Sequence, residues 1–368
     1  MPTEITAENK HCVIRVNANS ELGNGHLMRC LTLARLAKSH NIKPLLVLTD
    51  VPDAPITFIN AAQCDYVLLP EADEFLDAQL LCKILANLNA PCWVVVDVYA
   101  FSARWHEVVY PNCQQLLVID DLANRSYFCD FLLDHTPGRS PEDYMPRLNA
   151  TAQIHVGAAC ALLAPEFFAA LEDARPIRAG YFAKKTKPKL LISLGGTDPK
   201  QLSLVWFDLL AGFAGEFGGI TFLLASNAQV IAPLAAKINH HNQSTGAIKL
   251  VINAANMPQL LLEHDLAIGG AGVSALERAV LGLPSIMLTL ADNQIKQAQA
   301  LHELGCAINL GDWQQVPDEA IQHAAREQLM QLKNNYAKCQ AISERAFSLI
   351  SGHAYQVVWQ FFNGSREE

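Results

Sequence analysis

One loop of the sequence places a histidine where a general base can act on a ligand. Residues 17–26, NANSELGNGH, follow a short apolar run and end on His26. Gly23 and Gly25 allow the backbone to turn tightly and to approach a ligand closely. A helix that begins here offers unpaired N–H groups to an anion, and a histidine at its start can accept a proton near neutral pH. These residues alone leave two roles open for His26: a general base, or a helix cap or phosphate contact.

A second glycine loop stands between a predicted strand and a predicted helix. It consists of Gly195, Gly196, Thr197 and Asp198, followed by Pro199. Its backbone N–H groups and the threonine hydroxyl are suited to hold a diphosphate. The same residues also fit a tight turn in which Asp198 caps the helix and Pro199 takes the first helical position. The two interpretations are compatible with each other.

Two further loops combine glycines with polar side chains. Residues 269–272, GGAG, lead into a predicted helix that carries Glu277, whose carboxylate could accept both hydroxyls of a ribose. A single glutamate on an amphipathic helix more commonly faces solvent, so that alternative stays open. Asn293 and Gln294 follow a later strand and offer neutral donors and acceptors for sugar groups, unless Asp292 or Asn293 only caps the next helix.

Acidic residues also follow two strands of the first half. Asp97 and Tyr99 stand at the end of the fourth predicted strand, and Asp120 and Asp121 at the end of the fifth. Ligands of open α/β sheets bind outside the carboxyl ends of the strands, so these positions are candidates for a site.

The elements that must position these loops alternate between short β-branched runs and amphipathic stretches. Near-continuous apolar strands separated by helices indicate parallel sheets that are covered on both faces. We therefore predict an α/β protein with two Rossmann-like parallel-sheet domains that face each other across a ligand-binding cleft. The predicted strands are residues 12–16, 44–48, 66–69, 93–97 and 116–120 in the first half, and 189–193, 220–224, 248–252, 266–268 and 285–288 in the second.

The predicted domain boundaries depend on a basic stretch in the middle of the chain. Residues 171–189 contain six Lys or Arg, two prolines and no apolar periodicity. We therefore predict an N-terminal domain over residues 1–172, a linker over 173–188 and a C-terminal domain over 189–345. Residues 346–368 are predicted to be helical and could cross back to the N-terminal domain.

Composition excludes several classes of protein. A net charge of −9 over 368 residues argues against a nucleic-acid partner, because such binding depends on many Lys and Arg contacts to phosphates. The ten cysteines contain no C-x-x-C pair, so no metal site is expected. No apolar run approaches the ~20 residues of a membrane span, and residues 1–10 do not have the pattern of a signal peptide. We expect a cytoplasmic protein without a membrane partner.

Taken together, the motifs resemble one known family. The segments IRVNANSELGNGHLMRCLTLA, LISLGGTDP and GGAGVSALERAVLGLPSIML, followed by DNQ, occur in order between about residues 14 and 304. They are similar to the UDP-2,4-diacetamido-2,4,6-trideoxy-β-L-altropyranose hydrolase family of pseudaminic acid biosynthesis. That family is similar in fold to the UDP-N-acetylglucosamine transferase of peptidoglycan synthesis, which has the GT-B architecture.

The resemblance implies hydrolysis of this UDP-sugar at the anomeric C–O bond, with inversion, releasing UDP and the free sugar without a metal or cofactor. It implies that His26 is the general base and that Asn17 and Tyr99 belong to the catalytic group. Tyr99 and Asn293 would contact the sugar, residues 195–197 the diphosphate, and Ser274 with Glu277 the uridine. The full predicted substrate-binding set is Arg15, Gly23, Gly25, Arg29, Asp97, Gly195, Gly196, Thr197, Asp198, Gly272, Ser274, Glu277, Asn293 and Gln294.

One departure from the family pattern keeps other functions open. Asn17 stands where an aspartate is usual, and an acid near His26 would tune its charge or orient water. One alternative is a UDP-sugar glycosyltransferase with a hydroxyl acceptor, although no Lys/Arg-rich amphipathic helix is evident in the N-terminal half for a lipid acceptor. The other is a non-catalytic nucleotide-sugar-binding protein. The expected partners are a UDP-sugar and UDP, and the expected state is a monomer or a weak homo-oligomer.

Overall fold

The computed structural model describes residues 10–17, 25–50, 56–184, 186–243, 248–313 and 318–364. These residues form two compact units, one from the start of the chain to Ala164 together with the segment from Ser351, and one from Pro165 to Ile350. Each unit is a parallel sheet with helices, so the prediction of two Rossmann-like parallel-sheet domains is confirmed. Gly23 lies outside the described residues.

The first unit contains a seven-stranded parallel sheet in the order β3-β2-β1-β4-β5-β6-β7. The chain order reverses between β1 and β4, which makes this pair the topological switch point of the sheet. The strands are β1 (His11–Val16), β2 (Lys43–Thr49), β3 (Asp65–Leu69), β4 (Cys92–Asp97), β5 (Gln115–Ile119), β6 (Phe131–Asp134) and β7 (Gln153–Val156). The helices are α1 (Gly25–Ser39), α2 (Ile56–Ala61), α3 (Glu74–Leu88), α4 (Ala103–Val109) and, from the end of the chain, α14 (His353–Asn363).

Helix α14 belongs to the core of the first unit. Its buried side chains, Val357, Val358 and Phe361 among them, join the apolar cluster formed by β1, α1 and β2. The hydroxyl of Tyr355 donates a hydrogen bond to the carbonyl oxygen of Leu163 at 2.6 Å. The last helix of the chain thereby covers apolar surface of the unit in which the chain begins.

The second unit contains a six-stranded parallel sheet in the order β10-β9-β8-β11-β12-β13, with its switch point between β8 and β11. Its strands are β8 (Lys189–Ser193), β9 (Gly219–Leu224), β10 (Ile248–Ile252), β11 (Leu266–Gly270), β12 (Ser285–Thr289) and β13 (Ile308–Asp312). Its helices are α5 (Pro165–Ala169), α6 (Leu171–Lys184), α7 (Leu202–Ala211), α8 (Ile231–Asn242), α9 (Met257–Leu262), α10 (Val273–Val280), α11 (Ile295–Glu303), α12 (Asp318–Asn334) and α13 (Tyr336–Leu349).

Helix α6 occupies most of residues 173–188, the predicted linker, and the division between the two compact units falls between Ala164 and Pro165. Its Arg178 is buried, with 1% exposure, and donates to carbonyl oxygens of Leu261, His264 and Leu281. These carbonyls lie at the ends of α9 and α10, where helices leave oxygens without internal partners. An arginine that resembled a solvated linker residue in the sequence therefore holds two helix ends.

None of the helices in the described part of the chain combines the length and the hydropathy needed to cross a bilayer.

Candidate functional site

The carboxyl edge of the first sheet holds a histidine–aspartate pair. His26 is the second residue of α1, which follows β1, and Asp97 is the last residue of the neighbouring β4. Val16, at the end of β1, is in register with Asp97. His26 Nδ1 lies 2.7 Å from Asp97 Oδ1. The first turn of α1 thus meets the end of β4 at the switch point of the sheet.

This geometry sets the tautomer of His26. Nδ1 also lies 2.9 Å from Arg29 Nη2, which can only donate, whereas an ionised carboxylate only accepts. Because the contact with Asp97 is the shorter one and Arg29 Nη2 already donates to Asp97 Oδ1, we infer that Nδ1–H donates to Asp97 and that Nε2 keeps its lone pair. No residue in the described ranges hydrogen-bonds to Nε2. A histidine held in this way can accept a proton from a hydroxyl or from water.

Arg29 keeps Asp97 ionised. One turn after His26 on α1, it donates from Nε to Asp97 Oδ2 at 2.6 Å and from Nη2 to Oδ1 at 2.5 Å. Burial alone would raise the pKa of Asp97, but Arg29 and His26 outweigh it and hold that pKa well below its ordinary value. The side chains of Arg29 and Asp97 are almost fully buried and are hydrogen-bonded to each other. In the structure Arg29 and Asp97 position His26, and the substrate contact implied for them by the resemblance stays a prediction.

Tyr99 and Asp121 form the rim of this arrangement. The Tyr99 ring stands edge-on to the His26 ring, with 4.7 Å between centroids, and its hydroxyl donates to Asp121 Oδ1 at 2.6 Å. Asp121 Oδ2 accepts from Arg29 Nη1 at 3.1 Å. The structure therefore brings the predicted Tyr99 to His26 and explains the acidic residue noted after β5.

His135 is a residue of this cluster that the sequence interpretation missed. It directly follows β6, and its Nδ1 lies 3.4 Å from Arg29 Nη1. Burial, with the charge of Arg29, lowers the pKa of His135 to about 4, so the ring is neutral at physiological pH. Its place directly after a strand was the available signal, because Asp97 and Asp121 occupy equivalent places in the sequence.

Asn17 is not the partner of His26. Its side-chain oxygen accepts from Arg15 Nη1 at 2.7 Å and from the hydroxyl of Thr49 at 2.9 Å. Arg15 is itself buried and forms an ion pair with Asp77 of α3 at 2.8 Å. The substrate contact of Arg15 and the catalytic role of Asn17 stay predictions, and the contacts that the structure shows for both residues are internal to the fold. These residues join β1 to β2 and α3, whereas the acid beside His26 comes from β4.

On the second sheet, three of the predicted loops follow the neighbouring strands β8, β11 and β12. A Cβ added to Gly272 would lie 3.4 Å from Gln294 Nε2, so the loops after β11 and β12 touch. Gln294 also accepts a hydrogen bond from the Leu290 backbone at 3.1 Å. Asn293 lies half-buried in the same turn, residues 292–294.

The glycine loop after β8 is open on the side where a side chain of residue 195 would lie. Gly195 has φ of +96°, and a Cβ there would meet no atom within 4 Å. Gly195 and Gly196 are exposed and Thr197 is half-buried. The backbone of this loop is therefore accessible at the switch point of the second sheet, where open α/β sheets bind ligands.

Asp198 does not belong to the accessible part of that loop. It is buried, and its carboxylate accepts from the backbone N–H groups of Leu202 and Ser203, both at 2.8 Å. Helix α7 begins at Leu202, so Pro199 does not take the first helical position. The Asp198 carboxylate thus holds the first N–H groups of α7, although the N-cap position itself is Gln201, and the substrate contact of Asp198 stays a prediction.

Helix α10 carries the remaining predicted residues. Gly272 is its N-cap, and the hydroxyl oxygen of Ser274 accepts from Arg278 Nη1 at 3.3 Å. Burial raises the pKa of Glu277 to about 7, although Arg278 opposes this shift. Within the described ranges, no group donates a hydrogen bond to the Glu277 carboxylate. This half-buried acid at a sheet edge has unused acceptors.

The two strand orders and the switch-point loops define the class of the fold as GT-B, that of a large group of glycosyltransferases. A comparison with protein-family models finds no match. The chain is 24% identical over 322 residues to the spore coat polysaccharide biosynthesis protein SpsG of Bacillus subtilis (strain 168), covering 84% of this chain and 86% of that protein.

Two solved structures illustrate the fold. MurG of Acinetobacter baumannii aligns with a TM-score of 0.68 and 14% identity, over 96% of this chain and 100% of that one. Anabaena Alr3699/HepE in complex with UDP aligns with a TM-score of 0.58 and 12% identity, over 96% and 99%. The fold expected from the motif resemblance is confirmed, and the hydrolase family stays a prediction.

Proposed function

We propose that this protein is an enzyme that transfers the sugar of a UDP-sugar to an oxygen nucleophile, with His26 as the general base. The observation that carries the proposal is the buried pair of His26 and Asp97, held by Arg29, with Nε2 left as an acceptor. A protein that only binds a nucleotide sugar has no need for an oriented base. The pair therefore favours catalysis over the non-catalytic alternative.

The proposed step is a single displacement. His26 Nε2 takes the proton of an O–H group while that oxygen attacks the anomeric carbon. The bond between the anomeric carbon and the diphosphate oxygen breaks, and UDP leaves with the electron pair. Attack from the face opposite to UDP inverts the anomeric configuration. General-base catalysis of this kind contributes about 10²–10⁴-fold to the rate.

The second sheet supplies the groups for the nucleotide in this proposal. The exposed backbone of Gly195 and Gly196 and the hydroxyl of Thr197 are suited to the diphosphate. Glu277 is suited to the ribose hydroxyls, because its carboxylate has unused acceptors. Asn293 and Gln294 are proposed to contact the sugar. HepE, whose fold is similar, is known in complex with UDP, which supports a uridine nucleotide as the ligand of this chain.

A hydroxyl acceptor is the better supported nucleophile. One protein of similar fold is a UDP-glucosyltransferase from Polygonum tinctorium, at a TM-score of 0.62 and 13% identity, and SpsG is named for polysaccharide biosynthesis. Water is the second candidate, favoured by the resemblance of GNGHLMR and GGTDP to a UDP-sugar hydrolase family. Both candidates use the same bond cleavage and differ only in what His26 deprotonates.

The discriminating experiment measures UDP release by phosphorus NMR in water enriched in oxygen-18. The panel contains UDP-glucose, UDP-N-acetylglucosamine and UDP-2,4-diacetamido-2,4,6-trideoxy-β-L-altropyranose, each with and without a mixture of sugar acceptors. UDP release that requires an acceptor identifies a transferase. Release without an acceptor, with oxygen-18 in the free sugar, identifies a hydrolase. UDP binding without release from any donor, under either condition, would contradict the proposed catalysis.

Replacing Glu277 by glutamine is expected to raise the melting temperature at pH 8 and to weaken UDP binding. The pKa of about 7 exceeds the ordinary value of a glutamate, so the folded chain holds this proton more tightly than the unfolded chain. The ionised carboxylate therefore costs stability as pH rises from about 4 to 7, and glutamine removes that cost. Loss of a charged acceptor for two hydroxyls should weaken UDP about tenfold or more.

Thermal unfolding at pH 5 and pH 8 and calorimetric titration with UDP test this prediction. A UDP analogue without the 2′ and 3′ hydroxyls should bind the variant and the wild type equally. Glu344→Gln, at an exposed position of α13, serves as the matched control and should change neither property. A lower melting temperature for Glu277→Gln at pH 8 would show that Glu277 stabilises the fold instead.

A further inference from the structure

We infer that Arg278 is a positioning residue for the nucleotide. Its buried guanidinium lies against the glycine turn, residues 269–272, and its positive charge stabilises the negative charge of a bound diphosphate. This assignment rests on the proposed function and adds to it the source of the site's preference for an anionic ligand. It is carried by the incomplete pairing of Arg278 inside the protein and by its location at the switch point of the second sheet.

Arg278 is 2% exposed and is poorly neutralised by the protein. Its Nη2 donates to the Gly270 carbonyl oxygen at 2.7 Å, and its Nη1 donates to the Ser274 hydroxyl at 3.3 Å. Its Nε is buried without a hydrogen-bond partner in the described part of the chain. No described carboxylate forms an ion pair with it. A buried charge in this condition destabilises the folded protein unless something compensates it.

Arg178 of the same unit is a buried arginine whose charge is compensated by groups of the protein itself. It is equally buried, and its Nε, Nη1 and Nη2 each donate to a backbone carbonyl oxygen. All three carbonyls lie at helix ends, where the partial charge is negative. Arg278 has one backbone carbonyl in place of three, that of Gly270 at the end of β11. The difference indicates that the compensation of Arg278 comes from outside the chain.

The position of the Arg278 guanidinium explains why residue 269 is a glycine. A Cβ added to Gly269 would lie 2.6 Å from Arg278 Nη1 and 2.7 Å from the carbonyl oxygen of Ser193. The absence of a side chain at Gly269 therefore gives the guanidinium its place between the ends of β11 and β8. Ser193 ends β8, and the loop that follows it contains Gly195, Gly196 and Thr197, the proposed diphosphate contacts.

Arg278 also orients Ser274. Because the hydroxyl oxygen of Ser274 accepts from Nη1, its proton points away from Arg278. That proton has no acceptor among the described residues, so it is available to a ligand oxygen. The hydrogen bond from Nη2 to Gly270 holds the turn in the same way. One cation thus places a hydroxyl donor and a backbone turn on the side where a phosphate would bind.

A competing explanation is that Arg278 serves only its neighbour Glu277. The two groups interact, since Arg278 lowers the pKa of Glu277, and burial lowers the pKa of Arg278 to about 10 against the opposing effect of Glu277. In that case Arg278 would act on the ribose contact and would affect uridine as much as UDP. The charge of the ligand therefore separates the two explanations.

The test compares UDP, UMP and uridine on the full chain, by calorimetric titration and by ligand-observed NMR for weak binding. Arg278→Met, which keeps the length of the side chain, is expected to weaken UDP about tenfold or more, UMP less, and uridine less than about twofold. Arg278→Lys should recover most of the UDP affinity. Arg178→Met is the matched control, expected to lower the melting temperature without changing the ratio of UDP to uridine affinity.

Equal losses for UDP and uridine in Arg278→Met, or an unchanged UDP affinity, would overturn the assignment while leaving the proposed function standing. A wild-type protein that does not bind UDP would overturn both. If Arg278→Met fails to fold, the lysine variant decides. If Arg278→Lys keeps the UDP affinity of the wild type and the same ratio of UDP affinity to uridine affinity, the charge assignment is supported. A lower uridine affinity in Arg278→Lys contradicts it.

Discussion

Replacing His26 by asparagine is expected to lower UDP-sugar turnover by about 10²–10⁴-fold while leaving UDP affinity nearly unchanged. The physical reason is that Nε2 is the proposed proton acceptor, whereas the proposed nucleotide contacts lie on another sheet. Asparagine can still hydrogen-bond to Asp97, so the buried carboxylate keeps a partner. The loss should therefore appear in kcat and not in the stability of the fold.

Steady-state kinetics with the donor identified by the release assay, together with titration by UDP, measure this effect. His302→Asn is the matched control, since His302 is exposed on α11 of the second unit. Wild-type turnover in His26→Asn would remove the histidine from the mechanism. A fall in UDP affinity equal to the fall in turnover would assign His26 to binding instead.

Replacing Asp97 by asparagine is expected to reduce both stability and turnover. Arg29 makes two of its hydrogen bonds to this carboxylate, and His26 makes a third. Removing one partner of a buried ion pair typically costs about 3–5 kcal/mol, because the remaining charge is left uncompensated. The amide also fails to hold His26 in its productive tautomer, so turnover should fall at least as far as in His26→Asn.

The pH dependence of stability gives this prediction a sign. The pKa of Asp97 is held well below its ordinary value, so its contribution is fully present above the unfolded-state pKa of about 3.9. It is lost as pH falls from there through the folded-state pKa. The stability difference between wild type and Asp97→Asn should therefore be largest above about pH 4 and should shrink in stronger acid.

Thermal unfolding from pH 3 to pH 8 and kinetic assays test the Asp97 prediction. A double variant, Arg29→Met with Asp97→Asn, removes both charges and should recover much of the lost stability without recovering turnover. An Asp97→Asn variant that unfolds like the wild type at pH 7 would contradict the role assigned to the Arg29 pair. Wild-type turnover in the same variant would contradict the role of Asp97 in orienting His26.

Three charged residues among the predicted substrate contacts have internal partners in the structure. The family resemblance implies substrate contacts for Arg15, Arg29 and Asp97. In the structure Asp77 pairs with Arg15 inside the fold, and Asp97 pairs with Arg29. A charge at a strand end can serve either purpose, and only its partners distinguish the two.

Local features of this protein were evident in the sequence alone. The alternation of apolar runs with amphipathic stretches predicts parallel sheets, because the burial of both sheet faces and one helix face leaves a direct pattern in the residues. Glycine loops after strands mark the carboxyl edges: Gly195 lies in one such loop, and His26 and Glu277 lie on the helices that follow two others. These predictions depend only on neighbouring residues and on the rule that parallel strands end at one edge.

Only the tertiary structure determines which of these residues contact one another. Asp97 lies 71 residues from His26, and the two meet because β4 lies beside β1, on the side opposite to β2, the next strand in the chain. Strand order follows from non-local packing of the whole sheet, which spacing along the chain does not encode. The burial of Arg178 and Arg278 has the same origin, because the cost of a buried charge depends on the surrounding carbonyls and carboxylates. His26 could therefore be proposed from sequence, while the acid that orients it could not.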